Sequence, residues 1–94
     1  MLIINEEEDI SYVISSIISY SDEYCINIRT TYLKNIFLCQ LKKYIPDIYM
    51  VHGNCSERRL LKDLSSISIN DLVVLDNVKK FNDINILNRK IYLY

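Results

Sequence analysis

Apolar and polar residues follow two different periods along this chain, and the period changes at short intervals. After the apolar run LIIN (residues 2–5), apolar residues recur three and four positions apart, which is the spacing of one helical face. Asn5 with Glu8 three positions later predicts the start of this helix, and the acids at 6–8 suit the positive end of a helix dipole. The predicted inner stripe consists of Ile10, Val13, Ile14, Ile17 and Ile18.

The second period begins in YCINIR (residues 24–29), where apolar and polar side chains alternate as in a strand with one wetter face. Thr30 or Thr31 can cap a following helix. That helix is expected to end before Pro46, because proline disfavours helical backbone in the residue that precedes it. Its inner side is expected to carry Leu33, Ile36, Phe37, Leu41, Tyr44 and, at its end, Ile45.

The same succession of strand and helix continues to the end of the chain. DIYMVHG (residues 47–53) is typical of a strand, and Asn54 with Glu57 forms a capping pair for the next helix. LVVLD (residues 72–76) is a continuous apolar strand of the kind buried on both faces of a parallel sheet. A weak helical pattern in KKFNDINIL (residues 79–87) leads to KIYLY (residues 90–94), the expected final strand. The inner face of the third helix is predicted to carry Leu60, Leu61, Leu64 and Ile67.

This alternation predicts one α/β domain over residues 1–94, with right-handed crossovers, a mostly parallel sheet and helices on both faces. The result is a small three-layer α/β/α arrangement. The sheet has five strands if LIIN joins it and four if it does not. The order of the strands does not follow from periodicity.

The net charge and the composition limit the classes of partner that the chain is expected to bind. The formal net charge of −1 provides no global field that would draw the chain to nucleic acid or to an anionic membrane. The longest uncharged apolar stretch is shorter than the ~20 residues that a membrane helix needs. The start MLIINEEED lacks the features of a secretory signal, so we expect a cytoplasmic protein. Heavy use of Ile, Tyr, Asn and Lys is typical of an AT-rich genome, such as that of a virus, plasmid or parasite, and a viral protein would act in the host cytoplasm.

The cysteines do not indicate a reactive or metal-binding site. Cys25, Cys39 and Cys55 are widely spaced, and an odd number in an intracellular chain predicts buried free thiols, with a disulfide as the alternative. A zinc site at His52 and Cys55 would need two further ligands, so no metal is expected. A nucleophile pair of these two residues has no orienting group, and no catalytic residue is assigned.

The strand VVLDN (residues 73–77) ends in an acid, and KIYLY closes the chain. Together with the strands and helices from Tyr24 onward, this order resembles the core of P-loop NTPases, particularly of the AAA+ type. The resemblance implies that Asp76 matches the metal-coordinating acid and that Asn77 stands where active members carry a glutamate. It also implies that KIYLY matches the strand that bears the sensor residue.

The turn that would hold the phosphates departs from that family. It reads IRTTYLKN (residues 28–35), without the glycines that let successive backbone N–H groups close around phosphates. Thr31 and Lys34 lie at the wrong spacing to replace the family's Lys-Ser/Thr pair. The amide of Asn77 cannot act as a general base. We therefore expect a degenerate core without hydrolysis, which makes the protein neither an enzyme nor a holder of a cofactor.

Two groups of polar residues are candidates for binding. The carboxyl ends of parallel strands frame the crevice where ligands bind in α/β proteins, and two such ends carry His52, Asn54, Asp76 and Asn77. The outer side of the third helix could contact nucleic-acid phosphates, although acids are interspersed among its basic residues, which are Arg58, Arg59 and Lys62.

Tyr92 and Tyr94 share one face of the terminal strand, which we expect to be a sheet edge with unpaired backbone groups. The function expected from the sequence is therefore a non-catalytic α/β module that acts through protein–protein contacts, most simply by forming a homodimer. One alternative is a nucleotide- or small-ligand-binding protein that uses the crevice. Another is a nucleic-acid accessory factor that uses the basic helix face.

Overall fold

The computed structural model describes residues 2–21, 23–53, 56–78 and 87–94. Strands and helices alternate within these residues as the sequence predicts, and the run LIIN joins the sheet. The helix predicted in KKFNDINIL lies, apart from its last residue, outside the described residues. The elements are β1 (Leu2–Ile4), α1 (Glu7–Ser19), β2 (Tyr24–Ile28), α2 (Thr31–Tyr44), β3 (Ile48–His52), α3 (Glu57–Leu64), β4 (Leu72–Asp76) and β5 (Lys90–Leu93).

The five strands are all parallel and lie in the order β1-β2-β5-β4-β3. The last strand along the chain is therefore the central strand, and Ile91 lies opposite both Tyr24 of β2 and Val74 of β4. The prediction that the terminal strand is an edge is wrong, because β5 is inserted between β2 and β4 and both of its sides are paired. The edges are β1 and β3.

This order places the helices on both faces of the sheet. The connections through α1 and α2 run along the sheet in one direction, whereas the connection through α3 runs back. Since crossovers share one hand, opposite directions put helices on opposite faces. Burial agrees with this arrangement: Ile10 and Phe37 of α1 and α2 share a core cluster with Ile26, and Leu60 of α3 shares another with Val73. The domain has the three-layer α/β/α architecture that the sequence predicts.

Helix α1 begins one position later than predicted. The Asp9 carboxylate accepts hydrogen bonds from the backbone N–H groups of Asn5 at 2.9 Å and Glu6 at 3.0 Å. Glu6 is therefore the N-cap in place of Asn5, and Asp9 takes the position predicted for Glu8. The predicted stripe is buried except at Ile18, which lies at the edge of the stripe and is exposed.

Helix α2 begins as predicted, since the Thr30 hydroxyl accepts a hydrogen bond from the Leu33 N–H at 3.1 Å. It ends at Tyr44, before Pro46. Tyr44 was expected on the inner side but is exposed, because Ile45 and Ile48 pack against the core at this end of the helix.

Helix α3 is capped by Ser56, whose hydroxyl accepts a hydrogen bond from the Arg59 N–H at 3.2 Å. The predicted pair with Glu57 is not the cap, and Asn54 lies outside the described residues. Leu60 is buried as predicted, whereas Leu61 is exposed, because successive residues are rotated by about 100° around a helix.

The end of α1 is held by side chains from the sheet. Arg89 donates hydrogen bonds to the carbonyl oxygens of Ile17 and Tyr20, and its guanidinium lies 5.8 Å from the centre of the Tyr24 ring. The Tyr24 hydroxyl donates to the Ser16 carbonyl at 2.8 Å. These contacts satisfy carbonyl groups that a helix end otherwise leaves without partners. They fix α1 against the start of β5.

The helices and thiols give two further findings. None of the described helices is both long enough and apolar enough to cross a membrane. Cys25 is a half-buried free thiol and Cys39 an exposed one, while Cys55 lies outside the described residues. The prediction of buried thiols is wrong for Cys39, because this residue lies on the outer side of α2.

Ile26 and Ile3 form a matched pair for testing the burial pattern, since both are isoleucines on neighbouring strands. Ile26 is 0% exposed and Ile3 is 54% exposed. We expect Ile26→Ala to lower the free energy of unfolding by about 2–5 kcal/mol, because truncation leaves a cavity. Ile3→Ala should cost about 1 kcal/mol or less. Urea denaturation measures both, and equal losses would contradict the placement of Ile3 on an uncovered part of the sheet.

A second prediction concerns the contact between the first turns of α1 and α2. The Tyr32 hydroxyl donates to Glu7 Oε1 at 2.9 Å, and this hydrogen bond, with the charge of Glu7, raises the pKa of Tyr32 above its usual value of 10.0. A raised pKa means that the contact stabilises the fold below the usual value and is lost as the pH rises through the raised one. Glu7→Gln should lower the pKa of Tyr32 toward 10.0 in an NMR titration. Glu8→Gln is the matched control on the same turn, and an equal effect there would show that the Glu7 contact is not the cause.

Candidate functional site

The carboxyl ends of the strands meet at one edge of the sheet, because all five strands point the same way. Asp76 is the last residue of β4 at this edge, and its side chain is only 12% exposed. Alternation along β4 puts it on the same face as Val74, which is the face covered by α1 and α2. A carboxylate withdrawn from water to this extent needs polar partners.

Two nitrogen-bearing side chains provide them. Lys34, in the N-terminal half of α2, places its Nζ 3.2 Å from both carboxylate oxygens of Asp76. His52, the last residue of β3, places its Nδ1 3.3 Å from Asp76 Oδ2. An ionised carboxylate only accepts hydrogen bonds, so the second contact requires a proton on Nδ1. Lys34 is the stronger partner, since it carries a full charge and is half-buried, whereas the His52 side chain is 72% exposed.

The turn after Asp76 is closely fitted to its neighbours. Asn77 has a φ of 56°, in the left-handed region that asparagine tolerates better than most residues. Its N–H donates to the Leu93 carbonyl of β5 at 2.8 Å. Gly53, the only glycine in the chain, lies against this turn, and a Cβ at that position would be 3.1 Å from the Asn77 carbonyl oxygen. A larger residue at Gly53 would require the turn to move.

A cavity of about 270 Å³ opens beside these residues. The connections that leave the sheet diverge here, since β2 leads to α2 on one face and β3 leads to α3 on the other. Ligands of open α/β sheets bind in the crevice at such a point. We call this cavity the β2 crevice, and it is lined by Ile28, Arg29, Thr30, Thr31, Lys34, Asp76, Asn77 and Tyr94.

The four ligand-binding candidates from the sequence are not all on this wall. Asp76 and Asn77 line the β2 crevice. His52 contacts Asp76 from the other side and lines a neighbouring groove between β3 and α3. Asn54 lies outside the described residues.

The remaining candidate residues from the sequence differ in how deeply they are buried. Arg58, Arg59 and Lys62 are all exposed on α3, and Arg59 forms an ion pair with Asp63 at 3.9 Å. Tyr92 is buried under α3, whereas Tyr94 is 44% exposed and stacks on Tyr92 with a ring-centre distance of 6.5 Å. Tyr92 therefore cannot form an interface between chains in the folded domain, because it belongs to the core.

Within the residues that the structure describes, no three side chains of His, Cys, Asp or Glu are close enough together to hold a metal ion. Among the described residues that line the β2 crevice, Asp76 is the one with a carboxylate side chain. Its neighbours Lys34 and His52 provide hydrogen-bond donors for both of its carboxylate oxygens.

Arg29 and Lys34 are the residues that sequence reasoning did not assign to the site. Lys34 was considered only as a misplaced phosphate-binding lysine. Its contact with Asp76 depends on strand order: β5 alone separates β2 from β4, and this brings the start of α2 within reach of the end of β4. The sequence contains only a weak indication of this pair: a cation lies in the helix that follows one strand, and an acid lies at the end of another strand.

The Lys34–Asp76 pair predicts a measurable coupling. We expect a double-mutant cycle of Lys34→Gln and Asp76→Asn to give a coupling of about 1 kcal/mol in the free energy of unfolding, because the pair is partly withdrawn from water. The same cycle on the exposed pair of Arg59 and Asp63 should give about 0.3 kcal/mol. Urea denaturation measures both cycles. A coupling at Lys34 and Asp76 no larger than the exposed control would show that this pair does not stabilise the site.

Comparisons of the chain with models of known protein families, with curated proteins and with solved structures found no match. The function is therefore inferred from the geometry and charge of the site.

Proposed function

We propose that this domain is a non-catalytic binding module and that the β2 crevice binds a small polar ligand. The observation that carries the proposal is the set of polar side chains lining one cavity where the sheet connections diverge. Arg29, Thr31 and Asn77 offer hydrogen-bond donors there, beside the ion pair of Lys34 and Asp76. A small number of polar groups on a concave surface is the usual composition of a ligand site.

Size and charge define the class of ligand. The volume of about 270 Å³ lies just below the range for ligand pockets, which is ~300–1,000 Å³, so the crevice suits one small molecule better than a dinucleotide. Lys34 and Asp76 neutralise each other, so Arg29 gives the described side chains of the wall one net positive charge. A ligand with one carboxylate or phosphate group matches that charge. Glu7 of α1 accepts a hydrogen bond from Tyr32, which follows Thr31 in the first turn of α2. Its negative charge therefore lies near the crevice and disfavours polyphosphates by repulsion.

The non-catalytic part of the proposal depends on Asp76. In the P-loop NTPase core that the sequence resembles, this acid would coordinate a metal ion. The ammonium of Lys34 lies 3.2 Å from both of its oxygens, so a metal would have to displace a cation that the chain itself supplies. Asn77 offers no general base beside it. We therefore infer a degenerate core that binds a ligand without hydrolysing it.

The reassignment of the tyrosines supports ligand binding over self-association at this surface. Self-association was expected because Tyr92 and Tyr94 were placed on an edge strand, and β5 is not an edge. Tyr94 lines the β2 crevice, but its ring stacks on Tyr92, so both rings are engaged within the domain. Contacts with another chain would have to use a different surface.

The proposal is tested by NMR titration and thermal shift with inorganic phosphate, AMP, and ATP with Mg²⁺. We expect phosphate and AMP to shift the amide signals of residues that line the β2 crevice and to raise the melting temperature, because both bind only the folded state. ATP with Mg²⁺ should bind no more tightly than AMP. Arg29→Gln should weaken AMP binding about tenfold, since it removes a charged hydrogen-bond donor.

Lys43→Gln is the matched control, because Lys43 is an exposed cation in the last turn of α2, at the opposite end of the helix that follows Arg29. It should leave AMP binding within twofold. The proposal fails if none of the three ligands shifts the crevice amides at millimolar concentration, or if the two variants weaken binding equally. Turnover of ATP by the pure protein would overturn its non-catalytic part.

A further inference from the structure

Strand β3 has one unpaired side. The Leu72 N–H donates to the Asp47 carbonyl at 2.9 Å, so the peptide group of Asp47 faces β4. Peptide groups alternate between the two sides of a strand, so those of Tyr49 and Val51 also face β4. Those of Met50 and His52 face outward. No described strand pairs with that side, because β3 is the last strand in the order of the sheet.

Within the part of the chain that the structure describes, this edge lacks the features that usually protect a sheet edge. Natural sheets block exposed edges with lysine, proline, a bulge or a covering segment. The sequence of β3 is IYMVH, without lysine or proline, and all five of its residues are in unbroken register with β4. The other edge, β1, is only three residues long. β3 is therefore the edge that can accept another strand over a useful length.

A groove runs along this edge toward basic residues of α3. It has a volume of about 290 Å³ and is lined by residues 49–53 of the strand and by Arg59 and Asp63 of the helix. Arg59 and Asp63 also line an adjoining cavity, with Arg58 and Lys62. The ion pair of Arg59 with Asp63 is long, at 3.9 Å, and Arg59 is largely exposed. Its guanidinium can therefore turn toward an acidic group in the groove.

We propose that β3 binds an extended acidic segment of a partner protein, which adds to the sheet as a sixth strand. The backbone of that segment pairs with the outward peptide groups of Met50 and His52. An acidic side chain of the segment, placed over the groove, pairs with Arg59. Strand addition of this kind takes its affinity from main-chain hydrogen bonds and its specificity from the side chains beside the edge.

Charge distinguishes this occupant from two others. A second copy of the chain would pair β3 with β3 about a two-fold axis, and the same patch would then face itself. Each α3 carries three cations and two acids, so the two helices would meet with net charges of the same sign, which gives no attraction. Nucleic acid carries a charge on every nucleotide, so Glu57 and Asp63, which stand among these cations on α3, repel it along its length. A segment of alternating acidic and uncharged residues can instead place a single acid over Arg59.

The test uses a short blocked peptide of alternating glutamate and valine, added to the labelled full chain. Without peptide, amide exchange should be fast at Met50 and His52 and slow at Tyr49 and Val51, which are paired with β4. Saturating glutamate peptide should protect Met50 and His52, and its affinity should fall as salt is raised, because the contact with Arg59 is electrostatic. A peptide with lysine in place of glutamate should bind at least tenfold more weakly.

Two variants check the site separately from the β2 crevice. Arg59→Gln, at an exposed position, should lower the affinity for the glutamate peptide about fivefold and leave AMP binding unchanged. Met50→Pro should abolish peptide binding, because the N–H that it removes faces outward. It also removes the packing of Met50 against the core and should lower stability, so the amide spectrum of the variant is used to confirm its fold. Arg29→Gln is the matched control and should leave peptide affinity unchanged. The proposal is therefore separable from the function assigned to the crevice.

Four results would overturn the inference. The first is failure of the glutamate peptide to protect Met50 and His52 at millimolar concentration. The second is equal binding of the lysine peptide. The third is protection of these two amides without peptide that increases with protein concentration, which would identify a second copy as the occupant. The fourth is tighter binding of oligothymidylate than of the glutamate peptide at the residues that line the groove, which would identify a nucleic-acid surface.

Discussion

The last strand of the chain is the middle strand of the sheet, and the rest of the structure depends on this insertion. β5 joins the β1–β2 pair to the β4–β3 pair, because both of its sides carry hydrogen-bonded ladders. Its Ile91 and Leu93 belong to the core under α1 and α2, and its Tyr92 belongs to the core under α3. Without β5 the sheet would be two separate strand pairs, which are marginal in water. The fold is therefore fixed by contacts between distant parts of the sequence, a condition that slows folding.

The β2 crevice is a consequence of the same insertion. Because β5 separates β2 from β4, the loop after β2 and the end of β4 face each other across the end of β5 and leave a gap. Lys34 bridges that gap to Asp76, and the turn at Asn77 is held by the Leu93 carbonyl of β5. The polar wall of the cavity thus consists of groups whose positions are set by backbone pairing. A ligand in this gap would meet side chains that are already oriented.

The sequence predicted the elements and layers well, because each helix and strand buries a face with its own period. It placed Leu33 and Phe37 in the core correctly, and of the two caps that it allowed for α2, Thr30 and Thr31, the structure has Thr30. It failed where the answer depends on which strands are neighbours. Tyr92 has the same alternation on a central strand as on an edge strand, so its burial could not be predicted. The pairing of Lys34 with Asp76 could not be predicted for the same reason, because it also depends on which strands are neighbours.

Short-range forces must decide what either proposed surface binds. The net charge of −1 supplies no long-range attraction, and the acids in the first turn of α1 lie on the same edge of the sheet as the β2 crevice, since α1 starts at the carboxyl end of β1. These acids offset the charge of Arg29 at a distance, and salt screens what remains beyond a Debye length of about 8 Å. Encounter with a ligand or a strand is therefore not steered by charge, and association rates should be those of neutral partners. Selection then occurs after contact, through hydrogen bonds and fit, in contrast to a basic protein that gathers nucleic acid by its field.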